Sequence, residues 1–90
     1  MTKQDIYNTI LHHIEGVNVV LSENLTFAYL PDKPTQVQYC RGSVVLEHLN
    51  GQAFKYQIEY YHQPELVKKF TIRCVGEVVT PHYTPPEDEM

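Results

Sequence analysis

On either side of Asn50-Gly51 the chain alternates apolar and polar residues with a period of two. That alternation limits the fold more than any other feature. Phe54, Tyr56, Ile58 and Tyr60 interleave with Lys55, Gln57 and Glu59, and Val44 and Leu46 precede the Asn-Gly pair. Period two marks half-buried strands, and Asn-Gly between two such runs marks a hairpin. A two-residue turn would set Glu47 against Phe54 and Leu46 against Lys55, dividing the apolar residues between both faces. A three-residue loop, Leu49-Asn50-Gly51, with Gly51 left-handed in a G1 bulge, sets Leu46 against Phe54, Val44 against Tyr56 and Arg41 against Glu59. The second register keeps one face apolar and is the one the pattern requires.

The same parity continues downstream, where Phe70, Ile72, Cys74 and Val78 alternate with Lys69, Thr71, Arg73 and Glu77. Even-numbered positions face the core and odd-numbered ones mostly face water. Upstream of Gly42 the apolar positions are odd, Val37 and Tyr39, so the parity switch predicts a one-residue bulge near Cys40–Gly42.

The rest of the chain fits around this hairpin. From Val17 onward Val, Ile, Tyr, Phe and Thr dominate and Ala is scarce, which is β-sheet vocabulary. Val17–Ser22 and Leu25–Leu30 read as a first hairpin across Glu23-Asn24. Pro31-Asp32-Lys33-Pro34 reads as a turn or loop. Thr35–Leu49, Ala53–Tyr61 and Val67–Val79 complete five strands. Before them Thr2 is a good N-cap with Asp5 three residues on, and Ile6, Tyr7, Ile10, Leu11 and Ile14 share one helical face, with Gly16 as the stop. After them three prolines lead into Glu87-Asp88-Glu89, an extended acidic tail. The expected fold is therefore α+β. An N-terminal amphipathic helix packs on a curled, mainly antiparallel five-stranded meander sheet over residues 1–80, and residues 81–90 form the tail.

Charge and motif content narrow the chemistry. Eleven acids against seven bases give a net charge of −4, and Lys3, Lys33, Arg41, Lys55, Lys68, Lys69 and Arg73 are scattered along the chain. Nucleic-acid binders cluster such residues, so a phosphate-tracking groove is not expected. No apolar run is long enough to span a bilayer, and the N-terminus lacks a signal-peptide layout, which suggests a cytoplasmic protein with no membrane partner. Adjacent His12 and His13 point about 100° apart on a helix and cannot share a metal, so no metal site or cofactor is expected. His48, His62 and His82 invite a Cys–His nucleophile with Cys40 or Cys74, but no local signature supports one. The inferred pairings also hold Cys40 and Cys74 roughly 13–20 Å apart, too far for a disulfide. The glycines are isolated, no Gly-x-Ser-x-Gly occurs, and Glu59 opposite Arg41 reads as half of an ion pair. An enzyme is the weaker reading.

Seven tyrosines in 90 residues are the least ordinary feature. Most serve β-propensity and packing, but Tyr also suits recognition surfaces. Five strands would make a sheet roughly 24 Å wide, and a helix about 10 Å across covers less than half of it. The apolar set of Val44, Leu46, Phe54, Tyr56, Ile58, Tyr60, Phe70 and Ile72 exceeds one helical stripe. The sequence thus points to a protein-interaction module that self-associates as a homodimer or binds another protein, with Tyr56, Tyr60, Phe70 and Tyr61 as its surface. The alternative is a small-ligand pocket between helix and sheet around His13, Tyr56 and Tyr60. A weaker third is an acidic mimic of nucleic acid.

Overall fold

A computed structural model of the chain describes residues 1–62 and 69–78. It consists of helix α1 (Lys3–His13) followed by four strands, β1 (Val17–Leu30), β2 (Lys33–His48), β3 (Ala53–Tyr61) and β4 (Lys69–Val78). The strands form one antiparallel sheet in the order β1-β2-β3-β4, an α+β arrangement. The tail expected at 81–90 lies outside the described residues.

Helix α1 begins where its capping residues place it. The Thr2 hydroxyl accepts from the Asp5 amide at 3.1 Å, and the Asp5 carboxylate accepts from the Thr2 amide at 2.9 Å. The helix ends at Ile14, and Gly16 takes a φ of 71° in the turn into β1. Its stripe is narrower than the sequence suggests. Ile6 and Ile10 are buried against Val37, Cys40, Val44, Leu46, Ile58 and Tyr60, whereas Leu11 stays 44% exposed.

The sheet has four strands where the sequence suggested five. Glu23 and Asn24 do not turn; they pair with Val44 and Ser43 inside one continuous β1. A tight hairpin turn needs positive φ at its centre, and neither residue adopts it. Polar side chains there mark an exposed edge strand instead. The real turn is Pro31-Asp32, and Pro34 lies inside β2. It is tolerated because β3 pairs with β2 only from Tyr39 onward, leaving Pro34 outside the three-stranded part.

The register of the central hairpin is the three-residue one, with Leu46 opposite Phe54, Val44 opposite Tyr56 and Arg41 opposite Glu59. Gly51 sits at φ 89°, and its amide donates to the His48 carbonyl at 2.9 Å. The parity switch in β2 is also present, but it lies nearer the N-terminus than Cys40–Gly42. Ala28 pairs with Tyr39 and Tyr29 with Val37, so Gln38 is the extra residue. Gly42 has a different task, letting β1 approach so closely that a Cβ there would stand 2.0 Å from the Asn24 carbonyl oxygen.

The β1–β2 pairing also skips Asn18 and Leu21 in β1, and the β3–β4 pairing skips Val75 in β4. Cys74 pairs with Tyr56, as the register requires, yet it is exposed. The face assignment holds for Cys74, where nothing among the described residues covers the outermost strand, but beyond the skipped Val75 it reverses, with Glu77 opposite Phe54 and Val78 opposite Ala53. No helix among the described residues is long and apolar enough to cross a membrane.

Candidate functional site

The tyrosines singled out from the sequence divide among three environments. Tyr60 is fully buried beneath α1, and its hydroxyl has no hydrogen-bond partner among the described residues. Burial raises its pKa. It therefore does not lie on open sheet surface, the place its sequence position suggested. Phe70, half-buried, packs its ring 5.7 Å from that of Tyr60 and stacks at 6.3 Å on His13. Tyr56 stands apart, with its hydroxyl 2.8 Å from His48 Nε2. Of the expected pocket, His13 and Tyr60 meet through Phe70 while Tyr56 belongs to a separate His48 cluster. Tyr61 lies on the opposite face, 41% exposed, edge-on to Tyr39 with ring centroids 4.7 Å apart.

The aromatic residue that sequence reasoning passed over is Tyr7. It reaches from α1 to β1 and donates to the Glu23 carboxylate, while its ring lies 6.1 Å from Phe27. Desolvation and then the Glu23 charge push its pKa well up. Beneath it a cavity of about 130 Å³ is bounded by Tyr7, Ile10, Leu11, Val20, Val44 and Leu46, with Glu23 at its rim. Its separation from Glu23 by sixteen residues, on a different element, left no local signal.

Two features bear on chemistry at the thiols and possible ligands. Burial, then Glu23, pushes the Cys40 thiol up to about 11, so the buried Cys40 holds little thiolate near neutrality. Among the described residues no three His, Cys, Asp or Glu side chains gather to hold a metal ion.

The most open apolar surface lies where α1 hands over to β1. Leu11, Val19 and Val20 are each 44% exposed and Leu49 is 74% exposed. With Ile14 and Val17 they line a cleft of about 730 Å³. The Leu49 amide donates to the Gly16 carbonyl at 2.7 Å, which ties the β2–β3 turn to this end of the molecule. Beside the cleft, β1 is an edge of the sheet.

The face turned away from the helix has a different character. Its rows across β2, β3 and β4 are Tyr39-Tyr61-Lys69, Arg41-Glu59-Thr71, Ser43-Gln57-Arg73, Val45-Lys55-Gly76 and Glu47-Ala53-Val78. Arg41, Gln57, Glu59, Thr71 and Arg73 together line a groove of about 450 Å³. The Tyr39 hydroxyl, then the charges of Tyr39 and Glu59, raise the pKa of the Arg41 guanidinium, so it stays charged.

No family model matches this chain, and neither a curated protein nor a solved structure matches it.

Proposed function

We propose that the chain is a non-enzymatic interaction module that self-associates through edge strand β1 and the apolar cleft beside it. The observation that carries this reading is the exposed run Val19-Val20-Leu21, at 44%, 44% and 42%. Val19 stands opposite Glu47 and Val20 opposite Leu46, on alternate faces, so both sides of this edge present apolar surface, and Leu21 is the extra residue of a bulge between them and Ser22. Edge strands also offer unpaired amides and carbonyls, and such edges are ordinarily protected. A second copy supplies a matching occupant. An antiparallel β1 of the second copy would bring the two Val19-Val20-Leu21 runs together about one two-fold axis. Leu11 and Leu49 would then be drawn into the same contact.

The sequence argument for an uncovered surface survives in a changed form. Four strands are only about 19 Å wide, but β2, with sixteen residues, runs about 53 Å, whereas eleven residues of helix span about 16 Å. The surplus runs along the strands.

Sedimentation at rising protein concentration tests the reading. The parent should sediment above monomer mass at high micromolar concentration, and Val20→Lys should return it to monomer with unchanged circular dichroism. A parent that stays monomeric there overturns self-association. One observation favours a second reading, a small-ligand pocket: the 130 Å³ apolar cavity under Tyr7. Its size suits one small apolar molecule with a hydrogen-bond donor for Glu23.

A further inference from the structure

The bases scattered along the chain are gathered by the sheet. Arg41 comes from β2, Lys55 from β3, and Lys69 and Arg73 from β4, yet all four stand in the rows of the face turned away from α1. Each is exposed. These rows contain one acid, Glu59, and the next row, Glu47-Ala53-Val78, adds a second, so four bases outnumber two acids on a chain whose net charge is −4. The spacing argument against nucleic acid, made along the sequence, does not hold across the strands.

Charge alone would suit any polyanion. The aromatic pair narrows the choice. Tyr39 and Tyr61 lie side by side at one end of the basic rows, and Tyr61 offers 41% of its surface to solvent. Between the rings and Lys55 these rows present Ser43, Gln57 and Thr71, which can donate to or accept from base edges or sugars. The four rows from Tyr39 to Val45 span about 20 Å along the strands and three strands about 10 Å across. That is an extended track. A sheet face with an exposed ring, flanking cations and hydrogen-bonding side chains is how single strands are bound without a duplex groove: bases stack and phosphates meet cations.

We propose that this face binds single-stranded nucleic acid, with Tyr61 stacking a base and Arg41, Lys55, Lys69 and Arg73 contacting the phosphates. The site is separate from edge β1, so it can be occupied whether or not the chain self-associates. An acidic peptide would use the cations but has no need of the rings.

Fluorescence anisotropy of a labelled oligothymidylate tests this directly. With four cations engaged, raising salt from about 50 to about 200 mM should weaken binding up to roughly 50-fold, at a slope of about −0.7 per contact. Arg73→Gln should make that slope shallower by about 0.7. Tyr61→Ala should weaken binding about tenfold at fixed salt with the slope unchanged, and Tyr61→Phe should bind like the parent. Both positions are exposed, and circular dichroism of each variant verifies the fold. Three results would overturn the proposal: no anisotropy change at low salt with high micromolar protein, Tyr61→Ala binding as tightly as the parent, or polyglutamate displacing the oligonucleotide at equal charge concentration.

Discussion

Gly42 and Gly51 both hold positive φ, at 150° and 89°, but a methyl group would meet different surroundings at the two positions. At Gly51 nothing lies within 4 Å, so Gly51→Ala costs only backbone strain, about 1 kcal/mol. At Gly42 the new carbon would collide with the Asn24 carbonyl, which is backbone and can move only by shifting β1. Gly42→Ala should therefore lose about 3 kcal/mol or more. Urea unfolding midpoints separate the two, and equal losses would mean that β1 does not approach so closely. Tyr60 makes the opposite kind of test. Its buried hydroxyl lacks a partner among the described residues, and an unsatisfied buried donor is destabilising. Tyr60→Phe should then raise stability by about 1 kcal/mol, and a loss of stability would mean that the hydroxyl is hydrogen-bonded after all.

Among the elements, α1 depends most on a local device. Both halves of its capping box are formed, and Thr2→Ala removes the acceptor for the Asp5 amide. Helix and protein should lose about 1 kcal/mol, read as a lower thermal midpoint, while Thr2→Ser should lose little. An unchanged midpoint for Thr2→Ala would show that packing of Ile6 and Ile10 alone holds the helix. This cap was legible in the sequence because every residue it uses lies within one turn. The β2–β3 register was legible too, since the alternation and Gly51 point to one solution. The existence of a bulge in β2 followed from parity, but its position did not. Tyr39 is apolar enough to suit either face, and Gly42 drew the break toward itself. The false hairpin at Glu23-Asn24 has a related cause. On an edge strand, polar residues look like a turn because one side of the backbone is already in water.

For the whole molecule, self-association also has a thermal signature. A dimer that binds only folded chains stabilises them by mass action, so the melting midpoint should climb with protein concentration, and this dependence should vanish in Val20→Lys. The candidate surfaces themselves were less legible than the fold. The basic face was concealed by chain separation, although Arg41, Lys55, Lys69 and Arg73 are all odd-numbered, the parity that faces water from β2 to β4. That shared parity was the available signal. Tyr60 was misplaced for a different reason: alternation tells which face a residue occupies, never how far along the strands a short helix reaches.

Strand order in this sheet is chain order, and that has a consequence in time. Each new strand finds its neighbour in the segment made just before it, so pairing can proceed hairpin by hairpin as the chain emerges, with few long loops to close. The helix is the exception. Synthesised before the strands, it carries Ile6 and Ile10 with no partner until Val37 and Cys40 arrive, and its cover is complete only when Ile58 and Tyr60 follow. An element made before the whole sheet is thus among the last to be buried, and until β3 is out of the ribosome its apolar stripe is exposed to whatever else can bind it.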